Sequence, residues 1–276
     1  MNNGNQTEIQ KPQFFRAFYG LFLRDLRVLS RELGPFVLRV GMQPLLFLFV
    51  FTFIMPRMSG GNPMAMAGGG TAFGTVLLPG LMAVAIMFSG IAGVALPLSS
   101  EFGITREIDD RVMCPIPVWA VALEKVCFSA VQSIVAAMIV IPLSIWIPAK
   151  PVYPDFHAWP LLILVLVMSS LLAGALGLFI GSTVNPKQIG LVFSIVVVPI
   201  TFLGCVYYPW SGLGKIVWLK IAVLFNPIVY ISEGLRAAVT PSVEHMPIWA
   251  ILLALTVFLV ILGRFGVRGF LKRVIS

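Results

Sequence analysis

Six long apolar stretches constrain this chain more than any other feature. They run over about 35–55, 73–98, 121–147, 159–182, 188–208 and 247–265. A helix rises about 1.5 Å per residue, and a bilayer's hydrocarbon core is about 30 Å thick, so stretches of this length can cross it. Their middles contain no Asp, Glu, Lys, Arg or His. Residues of the types AVILMFWYC make up 59% of the chain and charged residues only 11%. A soluble domain would have about 45–50% and about 25%. The fold class is therefore an all-α integral membrane protein with six transmembrane helices.

The basic residues orient the six spans. With the N-terminus inside, the inner segments hold fourteen of the 19 Lys and Arg residues. The outer segments hold Arg57, Lys150, Lys215, Lys220 and Arg236. Lys and Arg accumulate on cytoplasmic loops, so both termini are expected in the cytoplasm. The net charge of +8 then reflects topology, and no nucleic-acid partner is expected.

Residues 1–13 are polar and lack a signal peptide's basic and apolar regions, so they are expected to form a flexible tail. Residues 14–34 follow as an amphipathic connecting helix. Phe15, Phe18, Phe22, Leu26, Leu29 and Leu33 recur at spacings of three and four, beside Arg16, Arg24, Arg27 and Arg31. An apolar stripe flanked by arginines suits a helix lying in the headgroup plane. Residues 35–276 form the transmembrane domain. Its sixth span reads as short, with Arg264 snorkelling at one end. Ser169, Ala173, Gly177 and Gly181 lie four apart on the fourth span, giving a face where helix backbones can approach closely.

Two connecting segments stand out. Residues of about 209–246 lie outside but are largely apolar. An apolar run too short to span, broken at Asn226-Pro227, predicts two short helices in a re-entrant hairpin. At about 100–115 the chain concentrates acid, with Glu101, Glu107, Asp109 and Asp110 interleaved with Arg106 and Arg111. Ile104, Ile108 and Val112 form one stripe, and Glu107–Arg111 and Arg106–Asp110 are i,i+4 pairs. Pro115 and Pro117 end the segment. The prediction is a mixed-charge surface helix suited to docking another protein.

Several chemistries are excluded or disfavoured. Cys114, Cys127 and Cys205 are widely spaced, with no CxxC. His157 and His245 suggest no site by spacing, and no metal pattern is present. An ion-coupled transporter normally buries an ionisable relay in mid-membrane, which these spans lack. Enzymes acting on pyrophosphate lipids need two facing Asp-rich motifs, and this chain has one, crowded by arginines. No GxxxxGK[ST] phosphate loop occurs, so any ATPase must be a separate chain.

The order of these features resembles the permease subunits of ABC-2 type exporters. "REIDDRVMCPIPVWAVALEK" fits the family's charged stretch before the third span, with Arg111 and Pro115 in place and Val112 where a glycine is usual. "FNPIVYISEGLR" fits the outer hairpin pattern NP-x-x-Y-x-x-E/D-x-x-R through Asn226, Pro227, Tyr230, Glu233 and Arg236. The resemblance implies two six-span permeases paired as a homodimer in the cell's inner membrane. Two copies of a separate ATPase would bind ATP and Mg, and this chain itself would hold no cofactor. The ATPases would dock on the connecting helix and on Glu101, Arg106, Glu107, Asp109, Asp110 and Arg111. Spans two and five would line the path, which offers Phe88, Phe193 and Phe202 but few polar groups. A hydrophobic or amphipathic substrate, a lipid or drug-like molecule, is therefore expected to move outward by alternating access. Export of a lipid-linked glycan is the alternative, followed by an ion-coupled transporter or a pyrophosphate-lipid enzyme.

Overall fold

A computed structural model describes residues 11–54, 73–105, 117–147, 154–155 and 158–275. All regular structure among them is helical. Helix α1 covers Lys11–Arg31 and α2 covers Leu33–Leu48, extended by a π-helical turn at Phe49–Ile54. Helix α3 covers Phe73–Ser100 and continues as a π-helical turn at Glu101–Thr105. Helices α4 (Val118–Trp146) and α5 (Trp159–Thr183) follow. A composite helix, α6, runs over Pro186–Phe202. Two short helices come next: α7 (Val217–Ala222, with a 3-10 turn Val223–Phe225) and α8 (Pro227–Val239). Helix α9 covers Ile248–Ile275. Helices α2 to α5 and α9 are long and apolar enough to cross a membrane.

Helices α3 and α5 form the centre, and small residues set their closeness. A Cβ on Gly177 would stand 2.8 Å from the Ile91 carbonyl oxygen, and one on Gly181 would stand 3.1 Å from Ala95 Cα. A Cβ on Gly90 would meet that of Ala173 at 2.4 Å. The four-residue spacing on α5 is therefore a packing face against α3, as its composition predicts. Helix α4 joins the pair through Ser129, whose hydroxyl donates to the Gly90 carbonyl at 2.7 Å. Large exposed side chains such as Leu38, Ile163, Leu253 and Val260 cover the outer surface, as lipid contact requires.

The two ends of the bundle differ in chemistry. Trp146, Trp159, Trp218 and Trp249, all strongly exposed, cluster at helix ends on one side. The other side carries α1 and the basic end of α9, with Trp119 near the start of α4. Aromatic rings that are apolar with a polar edge settle at membrane–water interfaces.

Four sequence expectations shift. Helix α6 ends at Phe202 rather than near 208, and about 25 Å of helix falls short of the hydrocarbon thickness. A π turn at Phe193–Val197 and Pro199 interrupt it, and residues beyond Phe202 bend to meet the hairpin. Helix α9 is long, with 28 residues, because Arg264, Arg268, Lys272 and Arg273 end its apolar run but are good helix formers. On α1, Phe18, Phe22, Leu26 and Leu29 are at least partly covered, whereas Phe15 and Leu33 are exposed. Glu101 belongs to the base of α3 and is buried, and is not on a separate surface helix. The rest of the predicted surface helix, 106–116, lies outside the described residues.

Replacing Gly177 by Val should lower the unfolding temperature of the detergent-solubilised protein, with a cost of roughly 1–3 kcal/mol. Gly263→Ala, where nothing lies within 4 Å of an added Cβ, should not lower it.

Candidate functional site

The hairpin motif converges on one buried ion pair. Pro227 begins α8 at its first position, where a missing N–H costs no hydrogen bond. Asn226 caps the helix: its side-chain oxygen accepts from the Ile228 N–H at 3.1 Å. Its amide donates to the Ile200 carbonyl at 2.6 Å, tying α8 to α6. Helices α7 and α8 bend by 97° across this break. The Tyr230 hydroxyl donates to the Leu224 carbonyl at 2.9 Å, bracing the bend.

Every residue of α8 is buried. One turn apart on it, Glu233 and Arg236 are completely buried and form an ion pair. The Glu233 carboxylate also accepts from the backbone N–H of Trp210 and of Met246, each at 3.0 Å. Arg236 donates to the Cys205 carbonyl at 3.1 Å and reaches the Val76 carbonyl at 3.5 Å. Cys205 has a φ of 52°, a left-handed conformation that costs a non-glycine residue about 1–3 kcal/mol. Ser232 donates to the neighbouring Gly204 carbonyl at 2.8 Å. The pair thus joins α8, the bent segment after α6, the 3-10 turn at Trp210–Lys215, the loop leading into α9 and the start of α3. Gly80 admits the bent segment, since a Cβ there would stand 1.9 Å from the Val206 carbonyl oxygen.

A second network closes the opposite end of the bundle. The Lys125 ammonium pairs with Glu101 at 2.7 Å, both side chains nearly fully buried, joining α4 to the base of α3. Arg273 on α9 donates to the carbonyls of Gly181, Ser182 and Val184 at 3.1, 3.3 and 2.7 Å. These are the orphan acceptors at the C-terminus of α5, where a cation also meets the negative end of the helix dipole. The same guanidinium lies 4.6 Å from the Phe102 ring centre, and Phe102 packs on Phe270. Ser99 donates to the Pro186 carbonyl at 3.2 Å. The chain leading into residues 106–116 is thus bound to α4, α5, α6 and α9.

The remaining predicted residues fall in three places. Arg16, Arg24, Arg27 and Arg31 are exposed along α1, which packs on α4 through an edge-to-face contact of Phe22 with Phe128. Phe88 and Phe193 meet with ring centres 5.5 Å apart, bringing α3 and α6 together. Phe202 lies elsewhere, against Tyr207. Arg106, Glu107, Asp109, Asp110 and Arg111 lie outside the described residues. Sequence reading missed the Glu101–Lys125 pair and the Arg273 cap. Their partners are 24 and about 90 positions apart, beyond any local pattern.

A family model described as ABC-2 type transporter matches residues 16–240. The chain belongs to this family. The permease named "Inner membrane transport permease YadH" of Escherichia coli K12 is 26% identical over 201 residues, covering 69% of this chain and 72% of that protein. Its counterparts in Escherichia coli O157:H7 and Shigella flexneri match equally. No solved structure matches. As an ABC-2 family member with apolar helices long enough to span, the chain is a transmembrane permease subunit. Its polar networks lie at the two ends of the bundle.

Two substitutions test the networks. Asn226→Ala should cost about 1 kcal/mol for the lost cap alone, and more through the released Ile200 carbonyl. Arg273→Gln should destabilise by about 1–2 kcal/mol, while exposed Arg268→Gln should do nothing, both read by thermal unfolding.

Proposed function

We propose that this permease is the membrane half of an ATP-driven exporter that moves a hydrophobic or amphipathic molecule outward by alternating access. One observation carries the reading. The segment that enters residues 106–116 is clamped at its base by Glu101–Lys125 and by Arg273 over Phe102. A force applied to that loop would therefore move α3, α4, α5 and α9 together. A driving event shifts a conformational equilibrium only through contacts that differ between the states, and a rigidly anchored loop supplies such a contact. The spans hold no ionisable group in their middles, which disfavours ion coupling.

The ATPase would be a separate chain binding ATP and Mg, present twice beside two permease copies. Arg106, Glu107, Asp109, Asp110 and Arg111, with α1, would form its docking surface. Glu101 would act differently from its loop neighbours, holding the base of the loop and leaving the contact to them. The basic α9 terminus and the arginines of α1 support an orientation with both termini cytoplasmic, in the inner membrane. Contact of Phe88 with Phe193 supports a path between α3 and α6.

Glu107→Lys and Asp110→Lys should detach or uncouple the ATPase while membrane insertion stays normal. Co-purification of the ATPase and substrate-stimulated, vanadate-sensitive hydrolysis measure this. Unchanged stimulated hydrolysis in both variants would remove those residues from the docking surface. Failure of any ATPase to co-purify with the native chain would remove the exporter reading.

A further inference from the structure

Helix α1 is held to the bundle by little. Among its described side chains only Leu29 is buried. Phe22 meets Phe128 edge to face, with ring centres 6.4 Å apart. A cavity of about 430 Å³ lies between α1, α2, α3 and α4. Helices in proteins draw most of their stability from packing an amphipathic face, so one packed this thinly needs a further partner. Its exposed half divides in two. Successive residues turn by about 100°, so Phe15, Tyr19 and Leu23, four apart, share one stripe. They are 67%, 61% and 37% exposed. Arg16, Arg27 and Arg31, separated by whole turns, form a second exposed stripe beside it. No acid lies on either stripe: Asp25, the one acid of α1, and the following Glu32 line the cavity instead. Exposed Leu33, Val37 and Leu38 follow at the start of α2, on the surface that meets lipid.

We propose that the exposed half of α1 is a docking surface for the anionic phospholipids of the leaflet beside it, and that these lipids hold the helix in place. Phe15, Tyr19 and Leu23 lie among the acyl chains, and Arg16, Arg27 and Arg31 take the phosphates. Charge and shape select this occupant. An apolar stripe flanked by cations is the form of a helix at a bilayer surface. A guanidinium takes a phosphate in paired hydrogen bonds, and each basic side chain near an anionic leaflet strengthens binding about fivefold. A second copy of this chain meeting the same stripe would bring arginines against arginines and be repelled. The inference rests on the exporter reading only for the leaflet, which is the inner one when both termini are cytoplasmic. It deepens that reading by giving α1 a lipid partner. The ATPase then keeps the loop 106–116 and the edge of α1 at Arg24 and Val28.

Hydrogen–deuterium exchange of the full chain in lipid nanodiscs tests this. One set of discs holds phosphatidylcholine alone. The other holds phosphatidylcholine mixed equally with phosphatidylglycerol carrying the same acyl chains. Amides of α1 should exchange about tenfold or more slowly in the mixed discs, as three arginines at about fivefold each allow. Replacing Arg16, Arg27 and Arg31 together by Gln should abolish the difference. Tyr19→Gln combined with Leu23→Gln should speed exchange of α1 in both kinds of disc. Amides of the buried helix α8 should change in neither variant, which shows that the fold is intact. Equal exchange in the two discs, a difference that survives loss of the three arginines, or apolar variants that behave like the native chain would overturn the proposal. Slow exchange in phosphatidylcholine discs on adding inorganic phosphate would overturn it too, by showing a site for a free anion. So would slow exchange there only on adding the co-purifying ATPase, which would give this face to that protein. The lipid comparison contains no ATPase, so a failed lipid contact leaves the exporter reading standing. A missing ATPase partner, in turn, leaves the lipid result standing.

Discussion

The Glu233–Arg236 ion pair is the interaction on which the hairpin end of this permease depends. Removing two charges from water costs several kcal/mol each, and the pair recovers that only if its remaining hydrogen-bonding groups are met. Here most of them are met by backbone, two N–H groups on the carboxylate and two carbonyls on the guanidinium, while Arg236 Nε has no partner among the described residues. Three of those groups, on Cys205, Trp210 and Met246, belong to the bend, turn and loop between helices, and the fourth, on Val76, to the first turns of α3. The pair thereby satisfies the polar groups of chain that could not lie at membrane depth unpaired. The recurring Asn, Pro, Tyr, Glu and Arg of the hairpin all serve this purpose, the first three by fixing where α8 begins and how it bends.

The inner network is built differently and serves a different end. Glu101–Lys125 and the Arg273 cap join regular helices to one another and to the chain that enters residues 106–116. Between the two networks, α3 and α5 pack through glycine, alanine and serine with almost no charge. The result is a stiff pair of helices with polar anchors at both ends. Motion imposed at the inner anchor would then be carried along α3 to the cleft at Phe88 and Phe193. The proposed coupling depends on that continuity.

Much of this was legible in the sequence, for physical reasons. Hydropathy marks what lipid requires, so four of the spans and the re-entrant pair could be read directly. The spacing of Ser169, Ala173, Gly177 and Gly181 announced a packing face, because only small residues allow such an approach. What hydropathy cannot mark is where a helix stops. Helix α9 continues through its basic end, because arginine and lysine favour helix even where they disfavour lipid. Helix α6 stops early because its following backbone is claimed by Arg236 and Ser232, residues some thirty positions away. The Glu101–Lys125 pair was hidden for the same reason: Glu101 looked like one more acid of a charged loop, and only the fold shows it facing Lys125.

A double-mutant cycle on Glu233 and Arg236, read by thermal or denaturant unfolding in one detergent, tests the account most directly. Glu233→Gln and Arg236→Met alone should each destabilise by about 3–5 kcal/mol, since each leaves a buried charge without its partner. The double variant should lose much less than the two losses added together, giving a coupling of several kcal/mol. Additive losses, or singles that behave like the native chain, would mean that the pair does not hold the hairpin end of the molecule together.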